Sequence, residues 1–390
     1  MTDLYSWYSV LLTVLTVTLV WWRNKKQNDP KPSLPQDTHH HHEHLPSDYN
    51  DIEPLEDFDL NTAEPVQTRP WKPKYHLTMG VEKCTFSDII PIDKSLEDRL
   101  ALRRKIVREH SDMVIASDPC SEAAVKEFYV WMIKTYLPRR YPSLYRSEGD
   151  MLVGPASTRL PLDPPSDVNA VLRLLAENID TEFFFLKRQG DTYVAKALIL
   201  CYAFSFNPSL KLNQTLAGIH GPVPGYKEKL ERPMNRYFTS LPKGKIVKRH
   251  NWNISIGRDL FEPKENPLTV LPLWLMDWIR TVFDWLGIEV LQMKSADLDP
   301  EEMNTRCERQ TLHRLMENDN TLVFSFKTYQ YPLKQIRDEG GGPALAEAIR
   351  GINRGSVPTV EWYKASPYWG PAAIEYLRGG GSEKPGEIRK

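Results

Sequence analysis

The stretch LAGIHGPVPGY, residues 216–226, places a histidine where a helical pattern meets a turn rich in proline and glycine. Asn207 is a candidate N-cap and Pro208 follows it, so we expect one helix from there to His220. Four residues share one face of that helix: Leu212, Leu216, Ile219 and His220. A buried imidazole forms a hydrogen bond, binds a metal, or stays unsatisfied at a cost of about 1–3 kcal/mol. The residues alone leave open whether His220 is a core histidine, a helix cap or a ligand.

A second group of polar side chains lies in RCERQTLHRL, residues 306–315. On a helix, Arg306, Arg309 or Gln310, and His313 would share a face. Such a set could form a buried network that binds an anion, for example a carboxylate. The same spacing is common on solvated helix faces, so the residues support both interpretations.

Several site motifs are absent from the sequence. The histidines outside the run at residues 39–44 show no HxH or HExxH spacing, and the cysteines form no CxxC pair. Neither GxGxxG, GxxxxGK[ST] nor GxSxG occurs, so no standard nucleotide loop and no hydrolase elbow is predicted. The formal net charge of −1 gives no overall field that would attract nucleic acid.

Residues 4–22, LYSWYSVLLTVLTVTLVWW, contain no charged side chain. This length is at the short end for a transmembrane helix, and tyrosine and tryptophan flank it as they do at membrane interfaces. Arg23, Lys25 and Lys26 follow the segment, whereas only Asp3 precedes it. We therefore expect a single-pass membrane protein with its main domain in the cytosol.

Residues 23–68 have the composition of a disordered linker, because they are rich in proline, histidine and acidic residues. The histidine run at 39–44 could bind a transition metal, although such runs in linkers are usually incidental. We expect the ordered domain at residues 69–365 and a polar C-terminal tail at 366–390.

The periodicity of the ordered region predicts helices and strands without a regular βαβ alternation, which favours an α+β fold. Helical patterns occupy residues 95–110, 121–137, 166–179 and 340–354. Strand patterns occupy residues 182–206 (two strands around a Gln-Gly-Asp turn), 245–256 and 321–333. The tryptophan-rich segment 268–291 is interpreted as an amphipathic or lid-like element.

Several blocks together resemble the HRQ family, which is related to the haem-binding alpha subunit of the haem-dependent oxidative N-demethylase. The blocks are RPWKPKYHLTMGV, RRYPSLY, IHGPVPGYKEKLERPMNRYF, RHNWNIS and ERQTLHRL…LVFSFKTYQYPL, and they span about residues 69–365. The resemblance implies a PAS-like antiparallel sheet with flanking helices around a b-type haem. It also implies an enzyme that uses O2 to remove a methyl group from an amine as formaldehyde. Electrons would come from NADPH through separate flavin and iron–sulfur subunits.

The resemblance implies that His220, the histidine of the IHGPVPGY block, binds the haem iron. It assigns Arg309 and Gln310 to a network that holds a haem propionate or the substrate. Lys327 stands where relatives tend to have arginine, which leaves the role of this position open. Two aromatic residues of the strand blocks are candidates for distal catalytic roles, with core packing as the alternative: Trp252 and Tyr329.

The sequence thus predicts a membrane-tethered haem-dependent oxidoreductase that demethylates a small amine with a partner reductase. Ligation of the iron by a thiolate of Cys201 or Cys307 is the alternative haem chemistry. A non-catalytic haem-based sensor is an alternative function. A lumenal type II glycosyltransferase is another, supported by the sequons at Asn213 and Asn253 and by two DxD triplets.

Overall fold

The computed structural model describes residues 49–263 and 298–379. Three predicted features lie outside these ranges: the membrane span at 4–22, the first part of the linker, and the tryptophan-rich segment at 268–291. In the two described ranges, no helix is both long enough and apolar enough to cross a membrane.

Two antiparallel sheets are present in the described ranges. Their strands are β1 (Glu82–Lys83), β2 (Ile115–Ser117), β3 (Arg146–Glu148), β4 (Met151–Gly154), β5 (Thr158–Pro161), β6 (Glu182–Gln189), β7 (Thr192–Ile199), β8 (Ile246–Ile256), β9 (Met303–Arg314) and β10 (Thr321–Pro332). The large sheet has seven strands in the order β1-β8-β9-β10-β6-β7-β2, and β3, β4 and β5 form the small one. The predicted strands β6, β7, β8 and β10 are confirmed.

Helices lie on both faces of the large sheet, which confirms the predicted α+β class. They are α1 (Leu96–Val114), α2 (Glu122–Trp131), α3 (Leu137–Arg140), α4 (Val168–Asn178), α5 (Leu216–His220), α6 (Tyr226–Lys229), α7 (Glu231–Ser240), α8 (Leu333–Asp338), α9 (Gly342–Arg350), α10 (Val360–Tyr363) and α11 (Ser366–Leu377). The helical patterns at 95–110, 121–137, 166–179 and 340–354 correspond to α1, α2–α3, α4 and α9.

The register of β8, β9 and β10 decides which side chains share a face of the sheet. Trp252, Cys307 and Tyr329 are directly paired, so they lie on one face, which we call the first face. Helices α1, α2 and α4 cover one end of the first face, and α8 to α11 cover its other end. Val247 and Leu312 lie on the opposite, second face, where α5, α6 and α7 pack.

Residues 306–315 form most of β9 rather than the helix considered from the sequence. Every residue of β9 except Glu308 is buried, because helices cover both faces of this central strand. Polar side chains occupy buried positions on both faces of the strand, so it lacks the alternation of apolar and polar residues that reveals a half-exposed strand. The spacing of its charged residues is therefore also compatible with a helix, which is why a helix was considered for this segment.

Helix α4 shows how the local sequence sets an element. The Asp167 carboxylate accepts hydrogen bonds from the backbone N–H groups of Asn169 and Ala170, which satisfies two free donors of the first turn. Its buried residues follow the helical repeat, and they face the large sheet: Val171, Leu172, Leu175 and Ala176. The cap and the apolar stripe together fix where the helix begins and which side it buries.

The second half of the predicted linker is ordered, which corrects the boundary at residue 68. Residues 49–68, which we call the N-terminal strap, insert Tyr49 and Ile52 into the core with exposed fractions of 4% and 1%. The Leu55 N–H donates to the Arg140 carbonyl at 2.8 Å, and the Tyr331 hydroxyl contacts Thr68 at 3.2 Å. A few apolar anchors thus order a segment whose overall composition is acidic.

The polar tail does not begin at residue 366, because helix α11 starts there. Its apolar residues pack into the core beside α9: Trp369, Ala373, Tyr376 and Leu377. Ala365, just before the helix, has a positive φ of 53° and ends the preceding turn. The ordered domain therefore extends at least to residue 379.

Candidate functional site

The segment that leads to His220 is not one continuous helix. Asn207 caps only a short 3₁₀ turn, Pro208–Lys211, and Asn213 adopts a left-handed φ of 61° that interrupts helical hydrogen bonding. Helix α5 then starts anew, with the Thr215 hydroxyl accepting from the Gly218 N–H at 3.1 Å. His220 is therefore the last residue of a five-residue helix.

The hydrogen bond of His220 fixes the form of its imidazole. Nδ1 lies 2.8 Å from the carbonyl oxygen of Leu216, and because a carbonyl can only accept, Nδ1 carries the proton. Burial, together with the nearby charge of Arg249, lowers the pKa of His220, so the ring is neutral at pH 7. Nε2 then carries the lone pair, and no described residue donates a hydrogen bond to it. This is the form in which histidine binds metal ions.

The turn after His220 orients the ring. Tyr226 stacks on the imidazole with a centroid separation of 4.9 Å and an interplanar angle of 10°. Gly225 has a φ of 74°, and a Cβ there would lie 2.8 Å from Val357 Cγ2, so only glycine fits. A groove of about 450 Å³ lies beside this turn, lined by Ala217, Gly221, Val223, Pro224, Gly225, Tyr226, Lys227, Glu228 and Glu231.

Arg249 is a half-buried cation on the second face of the sheet. It pairs with Gln310 across β8 and β9, two positions from Val247, so its side chain lies on the face that α5 to α7 cover. Its Nε is buried with no hydrogen-bond partner among the described residues, and the carboxylate of Glu308 is near enough to attract its charge. Burial outweighs this attraction and lowers the pKa of Arg249, because a guanidinium is costly to desolvate.

Further polar side chains continue along the same face. Gln310 Nε2 donates to the Glu308 carboxylate at 2.8 Å, and Asn251 Nδ2 lies 3.5 Å from the same oxygen. Arg306, further along β9, donates to the Tyr202 carbonyl at 2.6 Å and keeps a buried Nε without a partner. The second face therefore presents a neutral imidazole, one carboxylate and two guanidinium groups that retain free donors.

A protein-family model described as "Haem-dependent oxidative N-demethylase, alpha subunit-like" matches residues 80–374. The chain belongs to this family. No curated protein matches the sequence at a significant level. The family implies a haem cofactor, and the described residues contain no cluster of three or more His, Cys, Asp or Glu side chains that could hold a separate metal ion.

The donors on the second face fit the cofactor that the family implies. A haem needs an axial ligand for its iron and cationic partners for its propionates. The neutral His220 ring has a free Nε2, and Arg249 has a half-buried guanidinium whose Nε has no hydrogen-bond partner among the described residues. Arg249 was missed at the sequence level, although its place two positions from the buried Val247 on a strand was a usable signal.

The structure separates two residues that the sequence placed in one network. Gln310 lies on the second face with His220, whereas Arg309 lies on the first face. Arg309 Nη2 is 3.9 Å from the Asp88 carboxylate and 3.9 Å from Cys84 Sγ. A single group bound on one face would not contact both side chains, so the geometry gives no support to one shared network.

Trp252 and Tyr329 also lie on the first face, away from His220. Tyr329 stacks on Tyr331 at 6.2 Å, and the Trp252 carbonyl accepts a hydrogen bond from the buried Lys364 ammonium. Both aromatic residues belong to the core that α8 to α11 cover. Their placement matches the core-packing alternative and gives no support to a distal catalytic role.

Lys327, whose role the sequence left open, belongs to a buried ion network on the first face. Its Nζ lies 2.7 Å from Asp93 Oδ2 and 3.1 Å from Asp180 Oδ2, with all three side chains 2% exposed or less. We use the name buried ion network for these residues: Asp93, Arg99, Arg103, Asp180, Glu182 and Lys327. The network joins α1 to the sheet.

His313 is enclosed by aromatic rings on the first face. The centroids of four rings lie 5.4–6.2 Å from its own, in the order Phe86, Tyr49, Phe128 and Trp131. The side chain is fully buried, and neither ring nitrogen has a hydrogen-bond partner. Burial lowers the pKa of His313 to about 3, so the imidazole is neutral.

The two cysteines considered as thiolate ligands are buried thiols. Burial raises the pKa of Cys201 and of Cys307 to about 12, so both keep their protons at neutral pH. Cys201 lies in the core under α1, and Cys307 lies in the core under α8 to α11. Neither environment favours the thiolate that ligation requires.

Proposed function

We propose that this chain is a haem-dependent oxidoreductase in which His220 binds the haem iron and Arg249 binds a propionate. The observation that carries the proposal is a pair of groups on the side of the second face: a neutral imidazole with a free Nε2, and a half-buried guanidinium whose Nε has no hydrogen-bond partner among the described residues. The partly buried guanidinium of Arg249 costs desolvation energy, and Nε2 of His220 has no partner. One ligand that combines a metal with carboxylates would bind both groups. Gln310 lies beside Arg249 and would add a neutral donor.

The residues around His220 would hold its ring ready for iron. Donation from Nδ1 to the Leu216 carbonyl selects the tautomer and makes Nε2 a better electron donor. The stacked ring of Tyr226 restricts rotation of the imidazole, and the left-handed Gly225 fixes where Tyr226 begins its helix. When bound, haem supplies the one-electron and O2 chemistry that no amino-acid side chain provides.

Glu308 is the acidic group that we assign to the substrate. Its carboxylate is the one half-buried acid of β9, and it accepts a hydrogen bond from Gln310 on the proposed haem side. A small amine is protonated at pH 7 and needs such an acceptor when it leaves water. The Glu308 carboxylate could hold the ammonium group and accept its proton before oxidation.

The proposal also assigns a haem type, a substrate class, an oxidant and an electron source, none of which the family match alone provides. We assign a b-type haem, a PAS-like arrangement of the sheet, a small N-methyl amine as substrate, and O2 as the oxidant. Electrons would come from a separate flavin and iron–sulfur reductase. Residues 4–22 would tether the domain to a membrane on its cytosolic side.

Haem titration tests the ligand assignment. In the full chain, His220→Ala should abolish the Soret spectrum of histidine-ligated haem, because no other described histidine combines a fixed Nδ1–H with a free Nε2. Arg249→Gln should keep that spectrum but weaken haem binding about tenfold or more, since a charge-assisted hydrogen bond is worth about 1.5–3 kcal/mol. His110→Ala, on the exposed end of α1, is the matched control and should bind like the wild type.

Two results would contradict the assignment. Wild-type protein that shows no Soret band with added hemin would remove the haem proposal altogether. An unchanged spectrum in His220→Ala, or equal losses in His220→Ala and His110→Ala, would move the ligand elsewhere.

Formaldehyde release separates an oxidative demethylase from a haem-based sensor. Haem-loaded protein with dimethylamine, O2 and a reduced electron donor should release formaldehyde, and Glu308→Gln should raise KM more than it lowers kcat, because it removes an ammonium partner. The quantity of formaldehyde per O2 consumed is the readout. Spectral changes with O2 but no formaldehyde from any of several N-methyl amines would favour the sensor.

A further inference from the structure

Cationic side chains are concentrated beside the proposed haem site. Residues 227–248 contain seven lysine or arginine residues and two glutamates, in a chain whose formal net charge is −1. Lys229, Arg232 and Arg236 are exposed and recur at i, i+3 and i+7 through the end of α6 and along α7. We call these three residues the basic stripe. They form one charged face along two consecutive short helices.

The opposite side of the same helices is buried. Tyr226, Leu230, Met234 and Phe238 recur every four residues and pack against the second face of the sheet. The basic stripe therefore points away from the core. Because the apolar side of these helices is used internally, they have no free apolar face to insert into a lipid surface, as an interfacial membrane helix requires.

The charges of the basic stripe are not neutralised within the described residues. No carboxylate there lies within ion-pair distance of Lys229, Arg232 or Arg236, in contrast to Lys243, which pairs with Asp319 at 3.2 Å. Unpaired cations on one surface create a field that extends into solvent and attracts a partner of opposite charge. Net neutrality of the whole chain makes this field local.

The basic stripe is close to the point where electrons would enter. Helix α6 begins with Tyr226, which stacks on His220, and Lys227 of the same helix lines the groove at that turn. The sequence contains no nucleotide loop and no cluster-binding CxxC pair, and we therefore assign electron delivery to another protein. A partner that rests on the basic stripe would be separated from His220 by one layer of helix.

We propose that the basic stripe is the docking surface for an acidic iron–sulfur protein that reduces the haem. This inference rests on the proposed function, because it assigns the stripe to electron delivery. Opposite charges would guide the encounter and orient the donor over α6 and α7. The interaction would be transient and sensitive to salt, as is usual for electron-transfer pairs.

Charge reversal with a matched control tests the surface. The variant Arg232→Glu with Arg236→Glu should bind immobilised acidic [2Fe–2S] ferredoxin of the plant type about tenfold or more weakly than the wild type. Lys105→Glu with Arg108→Glu changes the charge equally on α1, which lies on the first face, and should bind like the wild type. In the haem-loaded full chain, the stripe variant should be reduced more slowly by ferredoxin but at the wild-type rate by dithionite.

The outcomes separate this inference from the haem proposal. A normal Soret spectrum with equal ferredoxin affinity in both double variants and the wild type would overturn the docking surface alone. A missing Soret band would overturn the haem proposal. Ferredoxin binding by the apo-protein, measured at several salt concentrations, would still test whether the basic stripe is a docking surface. If charge reversal reduces binding to phosphatidylserine vesicles but not to ferredoxin, the stripe is a lipid-binding surface and the proposal is wrong.

Discussion

Acidification should destabilise the native protein through His313, by about 1.4 kcal/mol per pH unit below pH 6.5. The folded-state pKa of His313 is about 3, because the ring is fully buried among four aromatic side chains with no charged partner. An unfolded histidine titrates near 6.5, so the unfolded chain binds the proton first as the pH falls. The stability that depends on a neutral His313 is complete above pH 6.5 and lost towards pH 3, about 5 kcal/mol in all.

The test compares the slopes of stability against pH. His313→Leu keeps an apolar side chain of similar size, so its unfolding free energy should fall less steeply between pH 6.5 and pH 4, by the equivalent of one proton. His76→Leu, at an exposed position, is the control and should keep the wild-type slope. Parallel curves for wild type and His313→Leu in chemical denaturation would show that His313 is not neutral and buried in the native state.

Removal of Arg103 from the buried ion network should cost about 3–5 kcal/mol of stability. Its guanidinium is fully buried and donates to the Glu182 carboxylate and to the backbone carbonyls of Ala176 and Thr181. Arg103→Met removes the cation but leaves the Glu182 carboxylate in the core. The burial that already raises the pKa of Glu182 would then act without the opposing arginine.

Two further variants show whether the loss of the charge pair explains the expected loss of stability in Arg103→Met. Arg104→Met, one residue along α1, also removes three hydrogen bonds, but no buried carboxylate is left behind, so about 1–2 kcal/mol is expected. Adding Glu182→Gln to Arg103→Met removes the stranded charge and should recover part of the loss. Urea unfolding of the four proteins measures this, and equal losses in Arg103→Met and Arg104→Met would refute the ion-pair explanation.

Elements with a clear repeat were predictable from the sequence. The helices α1, α2, α4 and α9 and the strands β6, β7, β8 and β10 follow from apolar periodicity and from turn residues. Strand β9 was not predictable, because it is buried on both faces and carries polar residues at buried positions on each of them. The helix from Asn207 to His220 was overextended because Asn213, a residue type that tolerates the left-handed region, was taken as helical.

The site was only half predictable for the same physical reason. His220 stands out by its local block, and its neutral tautomer depends on a hydrogen bond within its own helix. For Arg249 the sequence indicates a buried face of a strand, but only the strand register places it beside Gln310 and on the side of His220. Arg309 was predicted to share a network with Gln310. In a strand, however, adjacent side chains lie on opposite faces, so the two residues are separated.

The contact between Tyr49 and His313 constrains how the chain is made. The ribosome releases the N-terminal strap first, yet the ring that Tyr49 covers belongs to β9, which is synthesised much later. Tyr49 therefore stays without this packing partner until most of the domain has left the exit tunnel. Closing so large a loop is slow, and the unfinished core exposes apolar surface meanwhile. Synthesis of this protein should therefore depend on chaperones more than its size alone would require.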